Sequence, residues 1–348
     1  MKRIFVPLII LMFVSTLSRA QDPHFTQYFA APQLLNPANI GFVPGKYRAS
    51  LVHRDQWRGI LDRSYTTSSA NFDIELTSPF GVATKDRIGV GLSFLNDHVG
   101  LIDLNTNSLA LGFAYHKFLS KNGNQYLRAG FQFSINQRNL TFSNLFFSDQ
   151  FDGVSAYNLG TLEALPENIR SYGNINLGLL YTADVNDNFA LNAGVSIHNV
   201  TSPDITFFEP TVGDSSTAEI HQRLSMQLST RIGIGNYGFA LIPRALYNIQ
   251  GPYSRLNTGL NLRIPISGDN YYAVQLGGWL RMAQASESLQ QESLIALVAF
   301  ELKSFNLGFS YDMDLKEVSG AGIGHNAFEI SVSYIGLFKD DFVFCPQF

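Results

Sequence analysis

A glycine-rich hexapeptide is the stretch of this sequence that comes closest to a cofactor site. Gly233-Ile234-Gly235-Asn236-Tyr237-Gly238 matches the G-x-G-x-x-G pattern of dinucleotide-binding proteins. Such a site requires a strand before the glycines and a helix after them, because the helix N-terminus binds the pyrophosphate. Here strand-like segments lie on both sides. The pattern therefore predicts a glycine-rich turn between two strands and no bound nucleotide.

The acidic and histidine residues also lack a complete metal or catalytic motif. Asp184-Val185-Asn186-Asp187-Asn188 resembles the start of a calcium loop, but Phe189 replaces the required glycine and no glutamate follows at the right distance. The sequence has no H-E-x-x-H pair and no G-x-S-x-G elbow. His116 and His198 are the candidates for a serine hydrolase site assembled across strands, although lone histidines on a polar face are more typical of a pore lining. We predict a protein without catalysis, metal or other cofactor.

Composition indicates what kind of scaffold carries these residues. Only 15 % of the 348 residues are charged, against about 25 % in soluble domains, and 13 % are aromatic. The mean hydropathy of +0.03 is far from that of a helical membrane protein and typical of strands that alternate apolar and polar side chains. A net charge of −4 offers no basic patch, which argues against nucleic acid as a partner.

Residues 1–20 have the pattern of a secretory signal peptide. Lys2 and Arg3 precede an apolar run over residues 4–14, and Ser18-Arg19-Ala20 forms a cleavage site before Gln21. The alternative, a membrane anchor, is disfavoured because the apolar run is short, and no cysteine lies at the cleavage site for lipid attachment. Beyond this run no window of about 18 apolar residues occurs. For an exported, weakly charged chain, a spanning β-barrel remains.

Alternating apolar and polar residues recur along the chain and predict strands. In residues 126–137, for example, Phe131 and Phe133 alternate with Gln132 and Ser134. A period of two is that of a β-strand with one apolar and one polar face. About fourteen strands are predicted, each near the length of about ten residues that a tilted membrane strand requires. They span residues 46–57, 65–76, 87–97, 108–119, 126–137, 172–182, 189–200, 223–234, 239–249, 256–264, 271–282, 293–302, 305–312 and 327–336.

Two folds are compatible with such strands. A soluble sandwich buries the apolar faces between two sheets, whereas a membrane barrel turns them toward lipid. The connections favour the barrel, because tight turns alternate with long connections such as residues 138–171 and 201–222. This parity gives an even strand number and places both termini in the periplasm. We predict an all-β, transmembrane, antiparallel up-and-down barrel over residues 46–337, with a periplasmic tail over residues 338–348.

The polar faces of the predicted strands indicate a wet, charged lumen. Their predicted lumen-facing arginines are Arg128, Arg223, Arg231, Arg263 and Arg281. Glu301 and Glu329 lie on the polar faces of late strands, so we expect them to pair with lumen arginines. Pro243 lies inside a predicted strand, where its missing N–H predicts a bulge.

Segments outside the strands are the candidates for function. Residues 21–45 do not alternate and are rich in aromatic and turn-forming residues. We predict an irregular segment there, acting as a plug in the lumen or as a periplasmic contact. The long connections carry phenylalanines that either fold inward or form an apolar surface for a protein partner. These partner-binding candidates are Phe142, Phe146, Phe147, Phe151, Phe207 and Phe208.

Short motifs near both ends of the predicted mature chain are distinctive. Gln21-Asp22-Pro23-His24-Phe25-Thr26-Gln27-Tyr28 is followed by Leu35-Asn36-Pro37-Ala38-Asn39-Ile40-Gly41, then by Arg54-Asp55-Gln56-Trp57 and a terminal Cys345-Pro346-Gln347-Phe348. Together they resemble the PorP/SprF family of the type IX secretion system of the Bacteroidota. The family usually has arginine where this chain has Gln347, a departure expected of a divergent member with its own client. The signature residues are Phe25, Tyr28, Asn36, Pro37, Ala38, Gly41, Arg54, Gln56 and Trp57.

The resemblance implies a non-catalytic barrel in the outer membrane of a Gram-negative bacterium, working in type IX secretion or gliding motility. Family members are associated with the export or surface attachment of large adhesins that carry a C-terminal secretion domain, and with periplasmic parts of the machinery. We therefore expect the chain to dock or anchor such an adhesin and to link it to that machinery. We also expect Arg54, Gln56 and Trp57 at the surface rim. The alternatives are a porin-like or hydrophobic-solute transport channel and, more remotely, an outer-membrane hydrolase.

Overall fold

Fourteen antiparallel strands form a closed barrel within the part of the chain that the structure describes. The computed structural model describes residues 22–59, 61, 63–77, 86–120, 124–142, 145–186, 188–208, 218–235, 238–266, 271–285, 288–315 and 326–336. Each strand pairs with its neighbours in sequence, and the last strand returns to the first. The predicted signal peptide and the tail over residues 338–348 lie outside the described residues.

The predicted fold class and strand number are confirmed. The strands are β1 (Tyr47–Gln56), β2 (Tyr65–Thr77), β3 (Arg87–Val99), β4 (Leu104–Phe118), β5 (Asn124–Leu140), β6 (Ile169–Asn186), β7 (Phe189–His198), β8 (Arg223–Ile234), β9 (Phe239–Gln250), β10 (Tyr253–Pro265), β11 (Tyr272–Ala285), β12 (Ser288–Leu302), β13 (Phe305–Asp314) and β14 (Ala327–Gly336). Each predicted strand corresponds to one observed strand, with bounds that differ by a few residues. In the described residues, no helix has both the length and the apolar character needed to cross a membrane.

The two faces of the barrel wall differ as the alternation predicts. On β5, Phe131 and Phe133 are 41 % and 44 % exposed on the outside, whereas Gln132 and Ser134 are 2 % and 4 % exposed on the inside. Leucines and phenylalanines of other strands follow the same rule. A single closed sheet has no second sheet to cover this apolar exterior, which suits contact with acyl chains. The sandwich alternative is therefore rejected.

Residues 22–45, called the lumen segment below, lie inside the barrel. They form a 3₁₀ turn at Tyr28–Ala30, the single-turn helix α1 at Pro32–Leu35 and a second 3₁₀ turn at Pro37–Asn39. Gln27, Ala38 and Ile40 are completely buried. The polar wall was expected to face water. Much of it instead contacts protein, because the lumen segment occupies the interior.

The two ends of the barrel differ in their connections. The connections over residues 141–168 and 199–222 lie at one end, called the long-loop end, and the turn of Lys303 and Ser304 lies at the other, the short-turn end. The alternation of lengths is incomplete, since Gly251 and Pro252 make a tight turn at the long-loop end. Asp22 lies near that end, bonded to Gln250, and the lumen segment runs from there to the short-turn end before β1.

The bulge predicted at Pro243 is wrong. The register of β9 with β8 is the same on both sides of Pro243, which leaves only a gap in the ladder where the N–H is missing. The register shifts instead between Arg281 and Met282 on β11 and between Asp184 and Asn186 on β6. Proline here removes a donor without inserting a residue.

Candidate functional site

A buried ionic cluster joins the first and last strands where the barrel closes. Arg54 on β1 and Glu329 on β14 are direct cross-strand partners, with an ion pair of 3.2 Å. Asp312 on β13 accepts from Arg54 at 2.7 Å and from Arg281 of β11 at 2.8 Å. All four side chains are at most 3 % exposed. Two guanidinium groups thus balance two carboxylates, which is how buried charge is tolerated.

The lumen segment is attached to this cluster. The backbone N–H groups of Thr26 and Gln27 donate to the two carboxylate oxygens of Glu329 at 2.8 and 2.6 Å. The Thr26 hydroxyl donates to Asp312 and accepts from Arg54 and Arg281, both at 2.5 Å. Charge-assisted bonds in a buried site are the strong kind. The expected pairing of Glu329 with a lumen arginine is present, and so is that of Glu301 with Arg263, at 2.8 Å.

A row of small residues forms a groove in the lumen wall opposite the cluster. Gly89 on β3, Ala114 on β4, Gly130 on β5 and Gly178 on β6 are successive cross-strand partners. A β-carbon on any of the three glycines would overlap atoms of residues 36–41. Glycine is required here because the backbone of the lumen segment approaches the wall closely. The alternation showed glycines on this face, but only the fold shows what they accommodate.

The Asn36-Pro37 turn occupies this groove. The Asn36 side-chain amide donates to the carbonyls of Leu179 and Val195, both at 3.2 Å, while its oxygen caps Ala38 N–H at 2.9 Å. Gly41 then takes a φ of +71° against β3, a conformation that favours glycine. Its N–H donates to Asp73 at 2.8 Å. Asn36, Pro37 and Gly41 of the Asn-Pro-Ala-Asn-Ile-Gly motif thus contact the barrel wall directly.

Filling this groove should dislodge the turn. In the Gly130→Val variant the new side chain overlaps the backbone of Pro37 and Ala38, so we expect the lumen segment to leave its seat, at a cost of about 1–3 kcal/mol for overpacking. Labelling of an engineered cysteine in residues 22–45 by a maleimide measures the release. Gly278→Ala, where a β-carbon meets nothing within 4 Å, is the control. Equal labelling rates in the two variants would contradict the binding of the Asn36-Pro37 turn in this groove.

Aromatic side chains hold the middle of the lumen segment. Tyr28 packs edge-on against Trp279 at 5.7 Å between ring centroids, and Phe29 stacks on the same indole at 6.1 Å. The guanidinium carbon of Arg244 lies 4.2 Å from the Phe29 ring, and that of Arg128 lies 3.8 Å from the Phe42 ring. Cation–π contacts of desolvated groups are worth about 2 kcal/mol. The segment therefore has anchors on several sides of the lumen.

The predicted lumen arginines all lie on the inner face, together with others. Arg128, Arg263 and Arg281 are buried, and Arg223 pairs with Asp22 at 3.3 Å while Arg231 is half-buried. His116 and His198 are hydrogen-bonded to the carbonyls of Ile40 and Leu35, at 2.9 and 3.1 Å, so both bind the lumen segment. Three further arginines, Arg48, Arg244 and Arg255, lie on the inner face and were not among those predicted there, and Arg54 had been expected at the rim. They also alternate on polar faces, which was the available signal.

The signature residues divide into two groups. Phe25, Tyr28, Asn36, Pro37, Ala38 and Gly41 lie inside the barrel as described above. Arg54, expected at the rim, is instead 2 % exposed inside the lumen, because its strand face points inward. Gln56 ends β1, and Trp57 follows with a φ of 63° and packs against Tyr65 in a tilted arrangement, with 4.7 Å between ring centroids. Of the three residues expected at the rim, only Gln56 and Trp57 therefore lie at the end of the barrel wall.

An aromatic surface lies on the connection between β5 and β6. Phe146, Phe151 and Tyr157 form it, with Tyr157 5.5 and 5.2 Å from the two phenylalanine rings. Phe146 is 72 % exposed and Phe208, on the neighbouring connection, is 63 % exposed. Of the other candidates, Phe142 and Phe147 are half-buried, and Phe207 is half-buried beneath Arg138.

Hydrogen bonds from its own backbone shape this loop. The N–H groups of Ala156, Ser155 and Val154 donate to the Asp152 carboxylate at 2.9–3.1 Å and hold the pKa of that carboxyl below its ordinary value. Asp149 similarly accepts from Leu162 N–H at 2.6 Å. The aromatic side chains are thus presented by a hydrogen-bonded loop.

Among the described residues, a larger and a smaller cavity flank the lumen segment. The larger, of about 390 Å³, lies toward the short-turn end and is lined by Phe29, Phe42, Arg128 and Arg244 among others. The smaller, of about 160 Å³, lies toward the long-loop end beside Asp22. In the described residues no cluster of His, Cys, Asp and Glu fits a metal ion. The contacts described above hold the lumen segment and leave a cavity on each side of it.

The fold is similar to that of solved outer-membrane barrels. A deltaS2 mutant of the TodX monoaromatic hydrocarbon channel matches with a TM-score of 0.52 at 12 % identity, covering 88 % of this chain and 93 % of that chain. A deltaS2S3 mutant of TodX matches with a TM-score of 0.50 at 13 % identity, covering 87 % and 93 %. At such identities the likeness concerns the fold alone. No curated protein matches the sequence significantly.

The sequence places the chain in a family more specifically than the fold does. The model of the family "Type IX secretion system membrane protein PorP/SprF" matches residues 17–334. That match covers the lumen segment, the ionic cluster and nearly all of the barrel. It confirms the resemblance carried by the short motifs, and the family is one of secretion-system membrane proteins rather than enzymes. The chain therefore belongs to the PorP/SprF family of type IX secretion system membrane proteins, and it is a barrel of the outer membrane.

Proposed function

We propose that this barrel docks a secreted surface protein, such as an adhesin with a C-terminal secretion domain, and links it to the secretion machinery. The exposed aromatic surface of Phe146, Phe151 and Tyr157 is the observation that carries the proposal. Exposed apolar patches on loops mark interaction sites, and aromatic residues dominate binding energy at interfaces. The long-loop end would face the exterior, and the short-turn end would face periplasmic components.

The occupied lumen supports docking over diffusion. Ionic, hydrogen-bonded and aromatic contacts hold the lumen segment along the barrel, so free passage of solutes requires its displacement. The segment instead packs against the inner wall, with contacts to β4, β5 and β6 among other strands. A barrel occupied in this way is suited to connecting partners on two sides of a membrane.

A porin-like or hydrophobic-solute transport channel is the second candidate. The observation that favours it is the fold similarity to the TodX channel, together with the two cavities beside the lumen segment. Liposome swelling with the purified protein separates the candidates. Solute entry at porin-like rates with the lumen segment in place would favour the channel, whereas impermeable liposomes would favour docking.

Truncating the aromatic surface should release the docked protein. In a Phe146→Ser, Tyr157→Ser double variant we expect binding of the adhesin to weaken by about 2 kcal/mol, roughly thirtyfold, since aromatic hot spots carry such energies. Copurification of adhesins from native outer membranes, identified by mass spectrometry, measures the loss. Phe305→Ser, which changes a 48 % exposed phenylalanine at the short-turn end, is the control. Undiminished adhesin recovery from the double variant would argue against this surface.

A further inference from the structure

The larger cavity contains polar groups that the lumen segment leaves without partners. In the described residues, Nε of Arg128, Nη1 of Arg244 and the hydroxyl of Tyr28 are buried and lack a hydrogen-bond partner. All three side chains are at least nine-tenths buried and line this cavity. A buried donor without a partner destabilises the folded protein, so three around one cavity require an explanation.

The remaining groups between these donors are neutral and polar. Arg128 donates to the Thr182 hydroxyl and to the Asn192 amide oxygen, the latter at 3.5 Å. Asn192 is the cross-strand partner of Ser229, and Ser229 is that of Arg244. Asn192 and Ser229 also line the cavity. A continuous polar strip thus connects the two arginines along the wall.

Carboxylates do not neutralise this strip fully. Of the acidic residues at the cavity, Glu75 pairs with Arg87 at 2.5 Å and Glu301 with Arg263 at 2.8 Å. Asp184 is the third acidic residue there, against the two arginines of the strip. The strip therefore has a local surplus of positive charge. Aromatic rings cover the faces of both guanidinium groups, which leaves their in-plane N–H groups for an oxyanion.

We propose that this cavity binds a small organic oxyanion, a carboxylate or phosphate monoanion with an apolar body. The oxyanion would lie between Arg128 and Arg244 and accept from the Tyr28 hydroxyl. Its apolar part would contact Phe29, Leu35 and Phe42, which line the same space. A volume of about 390 Å³ is that of an ordinary small-molecule site. Lys46 and Lys303 at the short-turn end also line the cavity, so entry would be from that end.

Trp279 provides the readout, because it contacts both Tyr28 and Phe29. The chain has two tryptophans, so a Trp57→Phe background leaves Trp279 as the only one. The purified barrel in detergent is titrated with sodium hexanoate, 1-hexanol and sodium acetate. Hexanoate should change the fluorescence saturably, acetate more weakly because it lacks the body, and hexanol not at all because it lacks the charge.

Substitutions test whether hexanoate binds at the polar strip. Arg244→Gln and Arg128→Gln should each raise the hexanoate Kd at least about tenfold, since a charge-assisted bond is worth about 1.5–3 kcal/mol. Tyr28→Phe should raise it severalfold, whereas Lys303→Gln, which removes a charge from the same cavity, should leave it within twofold. Equal responses to hexanoate and hexanol, or equal losses in Arg244→Gln and Lys303→Gln, would overturn the proposal. If a variant does not fold, the comparison of hexanoate, hexanol and acetate on the protein with an unchanged strip still tests the proposal.

Discussion

Replacing Glu329 with alanine is expected to destabilise the barrel by about 3–5 kcal/mol, because removal of one partner leaves Arg54 buried without its charge balance. The variant also removes the acceptor of two lumen-segment N–H groups, those of Thr26 and Gln27. Glu329 and Arg54 lie on the strands that close the barrel, so the loss falls at the seam. Urea or thermal unfolding in detergent micelles measures the destabilisation.

A second buried pair separates loss of stability from release of the lumen segment. Glu301→Ala breaks an equally buried ion pair, that with Arg263, and the other side chain that donates to Glu301 is Gln275 of the barrel wall. We expect a comparable loss of unfolding free energy in that variant. Maleimide labelling of an Ala31→Cys probe, in a Cys345→Ser background, should accelerate only in Glu329→Ala. Equal acceleration in both variants would show that the cluster does not hold the segment.

Deleting residues 21–45 is expected to convert an occluded barrel into a conducting one. The segment accounts for the protein that fills the lumen, and barrels of slightly larger strand number leave an aqueous channel when empty. Planar-bilayer conductance should therefore increase by about tenfold or more over the full-length protein, since the empty lumen is wide and polar. Retention of the docked adhesin should decrease at the same time if the segment stiffens the loops.

Gly130→Val provides the matched comparison for this deletion. It changes one residue and leaves the segment covalently attached, so its conductance should lie between those of the deletion and the parent. Gly278→Ala should conduct as the parent does, because its β-carbon points into open space. A deletion variant that folds, conducts no better and retains its partner as well would contradict the role given to the lumen segment.

The strands were predictable because the alternation of apolar and polar residues depends only on which way each side chain faces. A residue such as Phe131 is apolar because it faces outward, and its neighbour Gln132 is polar because it faces inward, whatever the rest of the chain does. Fourteen such patterns predicted the strand number directly. Pro243 misled because a missing donor and an inserted residue look alike in sequence, and only the register shows that no residue was inserted.

The groove and the cluster were not predictable in the same way. Glycines on the polar face of β3, β4 and β5 were visible, but a glycine in a strand also occurs at bulges and in empty space, as Gly278 shows. Arg54 was assigned to the rim from its distance along β1. Its burial follows from partners on β13, on β14 and in the lumen segment, which no pattern near Arg54 indicates.

By itself the sequence determined a membrane barrel and its family. A bilayer demands that every backbone group be paired within the wall, so period-two segments of this length have few other folds available. The tertiary structure decided what occupies the interior. Thr26 and Glu329 meet across 303 positions of the chain, and such contacts arise from the closure of the sheet and leave no periodic trace. In an empty lumen the inward-facing arginines would lie against water. Here several of them, Arg54, Arg244 and Arg281 among them, contact a segment of their own chain, which their pattern in the sequence does not reveal.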